Sequence, residues 1–258
     1  MFSALTLAHL GAQLAEARTL EVVTQSLVMP ALAATLWCAS AGPRPRLVRL
    51  VTIALVFSWL GDSAPFLAEG DTAFLVKVGF FLCAQVAYVA AFWPLRRMSV
   101  AVRRPSLVVP YGVAFAVLVA VCAAMAGSLL PAVVLYGMCL TTMAVLATGL
   151  GRLAGIGGAI FMASDAMIAL RAFTPWYQPP VSGFWVMLTY IVGQALLAAA
   201  VLGHVRADAD VADTDVADAD VDGADVDGAD EAARRDAAHA VRIIHSSGSP
   251  STSNPNLS

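Results

Sequence analysis

The chain has 258 residues, 59% of them hydrophobic and only 13% charged, with a formal net charge of −3. A soluble domain is about 45–50% apolar and about 25% charged. Together with a mean hydropathy of +0.77, these proportions exclude an ordinary soluble globule. They predict an all-α fold, a polytopic transmembrane helical bundle.

A spanning helix needs about 20 apolar residues. In chain order the apolar runs are Phe2–Ala15, Val22–Ala41, Leu50–Leu67, Ala73–Trp93, Leu107–Ala126, Leu129–Leu150, Leu153–Phe173 and Val181–His204. The first is short and carries His9 and Gln13. No basic stretch precedes it, so it reads as a retained helix rather than a cleaved leader. The expectation is therefore eight spans, or seven if this short first run does not cross. Arginines gather in alternate connections: Arg44, Arg46 and Arg49, then Arg96, Arg97, Arg103 and Arg104, then Arg152, then Arg206. Basic connections stay on the cytoplasmic side. With eight spans, both termini are expected in the cytoplasm and the bundle in the plasma membrane. Lys77 and Arg171 fall near the outer helix ends, where long side chains snorkel toward water.

From Arg206 the composition changes abruptly to an Ala/Asp/Val/Gly repeat followed by SSGSPSTSNPNLS. This tail holds twelve of the eighteen acids and four of the fifteen basic residues, a formal charge of −8. Such a segment buries too little apolar area to offset chain entropy. Residues 1–205 are read as the transmembrane helical domain and 206–258 as a disordered acidic cytosolic tail. DVDGAD in the tail lacks the full spacing of a calcium loop.

Polar residues inside the spans are the most informative feature. Outside the tail the acids are Glu16, Glu21, Asp62, Glu69, Asp71 and Asp165, and only Asp62 and Asp165 lie well within apolar runs. A carboxylate at bilayer depth costs on the order of 2.5–3.5 kcal/mol, so each marks a functional site by default. At 1.5 Å per residue, Asp62 sits roughly 7–8 Å and Asp165 roughly 12 Å from the outer helix ends. Asp62 is thus expected nearer to water. Ser58 lies four residues before Asp62 and shares its face. The same spacing rule groups Tyr190 with Gln194, and Gln85 with Tyr88. With Tyr136 and Ser164, these side chains are expected to line one cavity opening outward and to orient substrate or water. Such groups also bond across bundles simply as structural glue. Gly151, Gly155 and Ala159 repeat every four residues, a spacing that allows close helix approach.

Cys38, Cys83, Cys122 and Cys139 all fall inside spans without metal-ligand spacing, so they read as packing residues. No phosphate-binding glycine loop, no G-x-S-x-G elbow and no basic-aromatic surface is present. No metal, no cofactor and no nucleic acid is expected. The expected partners are the bilayer and a membrane lipid.

At these residues the chain resembles the YhhN family of polytopic membrane proteins, which includes the lysoplasmalogenases. A Ser-x-x-Gly-Asp element is present as Ser58, Gly61 and Asp62. FFLCAQVAY resembles a Phe-x-x-x-His-x-x-Tyr element, with Gln85 where the family pattern has His. A Gly-Ala-x-x-Phe-x-x-Ser-Asp element is present as Gly158, Ala159, Phe161, Ser164 and Asp165. TQSLVMP and LTYIVGQALLA resemble an early and a late family stretch, so the resemblance covers about residues 20–204. Gln25-Ser26 replaces the usual Lys-Pro, and the acidic tail is additional.

The resemblance implies hydrolysis of the vinyl ether of a lysoplasmalogen, or of a related ether lipid, to a fatty aldehyde and a glycerophospho-alcohol. That chemistry needs a proton donor and a negative partner for an oxocarbenium ion. Two carboxylates in different environments fill both roles in glycosidases. Asp165 is expected to be the general acid and Asp62 the ionised partner, and the reverse assignment uses the same pair. The alternative is a proton-coupled transporter of a lipid or small molecule, with the same aspartates as the relay. No obvious internal repeat supports it.

Overall fold

The computed structural model describes all residues except 41–43, 64–69 and 247–258. Among the described residues there is no strand. The chain divides into two units, Met1–Val205 and Arg206–Ser258.

The first unit is built from α1 (Phe2–Leu14), α2 (Arg18–Ala39), α3 (Arg46–Ser63), α4 (Gly70–Phe92), a four-residue α5 (Val100–Arg103), α6 (Val109–Ala126), α7 (Leu130–Ala147), α8 (Arg152–Phe173) and the first part of α9 (Ser182–Ser246). Each apolar run of the sequence thus forms a helix. Short 3-10 turns join α4 to α5, α5 to α6, α6 to α7 and α7 to α8. Between α6 and α7 the chain reverses at Gly127, whose φ of 48° suits a residue without a Cβ.

Among the described residues, five helical stretches are long and apolar enough to cross a membrane: Arg18–Ala39, Thr72–Arg103, Pro105–Leu150, Arg152–Phe173 and Ser182–Val211. Eight spans were expected. The difference has three physical sources. α1, at 13 residues, is only about 20 Å long, short of the roughly 30 Å hydrocarbon layer. α3 carries Arg46, Arg49 and Asp62 within 18 residues. Pro105–Leu150 is a single stretch by composition, yet it contains both α6 and α7.

The core runs through the interior of the unit. Leu36, Leu55, Tyr88, Phe92, Met143, Phe161, Ile191 and Leu197 are all fully or almost fully buried. An aromatic chain threads it. Phe81 meets Tyr190 edge-on with centroids 5.9 Å apart, Tyr190 meets Phe161 at 5.6 Å, Phe161 meets Tyr88 at 6.5 Å, and Tyr88 stacks on Phe92 at 5.7 Å. Outside, Val113, Val117, Met125, Leu135, Met138 and Ile156 are exposed, the arrangement expected of a bundle solvated by lipid. Cys122 is buried, Cys139 is partly covered, and Cys38 and Cys83 face outward.

The basic connections meet. The Val100 amide donates to Thr148 Oγ1 at 2.9 Å, joining the segment after α4 to the turn before α8. Arg97, Arg103 and Arg152 therefore belong to one end of the bundle. Asp62 lies sixteen residues along α3 from Arg46, about 24 Å, and Asp165 thirteen residues along α8 from Arg152, about 20 Å. Both carboxylates are thus carried toward the end opposite the arginines.

α8 and α9 cross closely, but not through the stripe marked in the sequence. Ala159 is exposed, and a Cβ on Gly151 would meet open space. The contact uses Gly157 and Gly193. A Cβ on Gly193 would fall 2.9 Å from the Phe161 backbone nitrogen and 3.0 Å from the Gly157 carbonyl oxygen. The four-residue repeat lies on the wrong side of the helix to meet α9.

The second unit differs from expectation. Its described part, Arg206–Ser246, is helical within α9, where the sequence reading expects no fixed structure. Alanine is the strongest helix former, and no proline interrupts residues 181–249.

Gly193→Val is expected to destabilise the bundle by about 1–3 kcal/mol through overpacking. Gly79→Ala, which meets nothing within 4 Å, is expected to be neutral or to stabilise by up to about 1 kcal/mol. Thermal unfolding of the purified variants in detergent separates the two.

Candidate functional site

α3 places Ser58 and Asp62 one turn apart on its inner face, and both are buried. α9 presents Tyr190 and Gln194 with the same spacing, also buried. The two faces meet. The Tyr190 hydroxyl donates to Asp62 Oδ2 at 2.9 Å. Gln194 Nε2 donates to Ser58 Oγ at 3.2 Å, and Gln194 Oε1 accepts from the Tyr88 hydroxyl at 2.5 Å. One glutamine thereby ties α3, α4 and α9 together. Both ends of its amide are satisfied, as a buried polar group requires.

The second carboxylate is held in the same manner. α8 carries Asp165 inward, and the Tyr136 hydroxyl on α7 donates to Asp165 Oδ2. Asp62 and Asp165 are almost equally buried, at 5% and 6% exposure. The expected contrast, with Asp62 the wetter, is absent, because tertiary packing covers the outer end of α3. Ser164 donates to the Val186 carbonyl oxygen at 2.9 Å. It is a tie between α8 and α9 rather than a lining group.

Gln85 is fully buried, yet neither atom of its amide makes a hydrogen bond. It lies beside the Tyr136 hydroxyl. All nine polar positions singled out in the sequence therefore lie in the bundle interior, at Ser58, Asp62, Gln85, Tyr88, Tyr136, Ser164, Asp165, Tyr190 and Gln194. Gln85 alone lacks a partner.

The sequence reading treated Lys77 as a snorkelling residue. In the structure its ammonium is within electrostatic reach of both Asp62 and Asp165. Its Nζ lies 5.9 Å from the centre of the Phe81 ring. The signal was present in the sequence, because Lys77 is the single cation of an apolar run that also carries Gln85. An intramembrane ionisable residue calls for a named partner.

A narrow cleft opens on this cluster, with Phe74, Val78, Phe81, Val133, Ile168, Ala169 and Phe173 as its apolar walls. Its polar groups are Lys77, Tyr136 and Asp165. Asp62 does not line it and acts from behind Tyr190. An acid with a hydrogen-bonded phenol, facing an apolar cleft, is equipped to exchange a proton with an apolar substrate from which water is largely excluded.

Fold and site together define a helical membrane-type bundle with a paired-aspartate interior. The YhhN family model matches residues 20–201 of the chain. The chain belongs to the YhhN family. No curated protein and no solved structure gives a significant match.

The contrast between the two buried glutamines is testable. Gln194→Leu strands the Ser58 and Tyr88 hydroxyls and is expected to cost about 1–3 kcal/mol. Gln85→Leu removes an amide that sits beside the Tyr136 hydroxyl without a well-formed hydrogen bond, and is expected to cost less than Gln194→Leu. Unfolding midpoints in detergent check both.

Proposed function

We propose that this chain is a membrane-embedded hydrolase of the vinyl ether bond of a lysoplasmalogen or related ether lipid. The observation that carries the reading is Asp165, hydrogen-bonded by Tyr136, facing an apolar cleft with Asp62 and Lys77 in electrostatic reach. Family membership supports it. We also place the bundle in the plasma membrane with its arginine-bearing connections on the cytoplasmic side, a reading supported by the shared end of two of those connections.

In this reading Asp165, which faces the cleft, is the acid and Asp62 its ionised partner, and the reverse assignment uses the same pair. The alkyl chain lies in the cleft with its vinyl ether at Asp165. Asp165 gives its proton to the β-carbon of the double bond. The α-carbon and ether oxygen become an oxocarbenium ion, which faces the new Asp165 carboxylate and feels Asp62 beyond it. Water adds to the α-carbon and returns a proton to Asp165. The resulting hemiacetal then expels the glycerophospho-alcohol and leaves a fatty aldehyde. One water is consumed and the acid is regenerated. Tyr136 keeps the Asp165 carboxyl oriented, and Tyr190 does the same for Asp62. The division of labour follows general acid–base and electrostatic catalysis.

Asp→Asn at either position keeps size and most hydrogen bonding but ends proton exchange or removes the charge. Asp165→Asn and Asp62→Asn are each expected to slow aldehyde release from lysoplasmalogen by about 10²–10⁴-fold. The double variant should lose little more, because groups that act as a unit are not additive. Both single variants should fold, since the uncharged amide is less costly to bury. Full hydrolysis in both single variants would leave the aspartates as structural residues. A parent that releases no aldehyde but couples solute movement to protons would turn the reading to the transporter.

A further inference from the structure

Beside the apolar cleft lies a second, open cavity with a different lining. Lys77 and Ile168 border both, so the two spaces adjoin at the lysine. The second cavity carries two cations, Lys77 and Arg171, with the amides of Gln13, Gln25 and Gln178. Its single acid, Glu21, already faces Arg18 at 4.0 Å. Arg171 sits on α8 six residues beyond Asp165, roughly 9 Å along the helix axis. The lining therefore has excess positive charge and several amide donors, next to a cleft with mostly apolar walls.

That combination selects a phosphate ester. Lysine and arginine are the usual phosphate-binding pair, arginine through its two-pronged donor set. Glutamine amides add neutral donors to the remaining oxygens. The geometry points to this vestibule as the headgroup site for a single-chain phospholipid, its phosphate held by Lys77 and Arg171 and its chain in the adjoining cleft. The assignment deepens the hydrolase reading. A phosphate anchored at Lys77 sets how far an attached chain enters, and so which bond lies at Asp165. A chain with no phosphate enters without a fixed register. Lys77 then serves two neighbours, the headgroup on one side and the aspartates on the other.

The test uses ligands that vinyl ether hydrolysis does not cleave. The purified full-length protein in nanodiscs is titrated with an O-alkyl lysophospholipid, with the matching O-alkyl glycerol, and with inorganic phosphate. The O-alkyl lysophospholipid is expected to bind at least about tenfold tighter than the alkyl glycerol, the scale of one charge-assisted hydrogen bond. Arg171→Gln is expected to weaken lysophospholipid binding by about tenfold and leave alkyl glycerol binding unchanged. Equal affinity of the parent for the two lipids would overturn the proposal, as would undiminished lysophospholipid binding in Arg171→Gln. Inorganic phosphate that binds as tightly as the lysophospholipid would make this a free-phosphate site and overturn the lipid assignment. Phosphate-dependent binding through Arg171 in a protein that releases no aldehyde would support the headgroup site while refuting the hydrolase reading, so the two failures are distinct.

Discussion

A carboxyl group inside an apolar helical bundle needs hydrogen-bond donors, because no solvent is there to supply them. In this chain a tyrosine from another helix meets each buried aspartate. Tyr190 of α9 donates to Asp62 of α3, and Tyr136 of α7 donates to Asp165 of α8. Those two bonds link four helices. The Tyr88–Gln194–Ser58 chain adds α4 to the same set. The same tyrosines lie within the aromatic and apolar packing, as Tyr190 does between Phe81 and Phe161. Packing and polar pairing are therefore one constraint: moving any of these helices breaks both.

This constraint also bears on chemistry. Side chains fixed by packing are held in register with one another, as preorganised catalytic groups must be. Asp165 is the member of the pair that lines the cleft, with Lys77 in electrostatic reach of both carboxyls. In the proposed reaction, a proton given up by Asp165 leaves a carboxylate facing the cation it creates.

Much of the site was legible because a polar residue inside an apolar run has few reasons to be there. The spacings Ser58/Asp62, Gln85/Tyr88 and Tyr190/Gln194 each marked one helix face, and in the structure all of these faces turn inward. Which side chain meets which was not legible, since pairings such as Tyr190 with Asp62 join positions 128 residues apart. Relative hydration misled for the same reason: depth along a helix ignores the neighbours that cover its end. Lys77 was set aside because a long cation near a helix end ordinarily reaches water. The glycine repeat at Gly151, Gly155 and Ala159 had the right period but the wrong face, and the contact fell at Gly157. The family likeness rested on the order of short elements, and the family model spans the same region. The acidic repeat reads as unstructured because it buries little apolar area, whereas its alanine content suits the helix described to Ser246.

The central claim is that a proton from the protein's acid cluster is placed on carbon. Hydrolysis of a lysoplasmalogen by the purified protein in D2O tests it most directly, with the aldehyde trapped at once by reduction. Asp165 exchanges with solvent between turnovers. The account therefore predicts one deuterium per molecule, on the carbon next to the aldehyde carbon, with chain length unchanged. Aldehyde without that deuterium, or shortened by oxidative cleavage of the double bond, would contradict it.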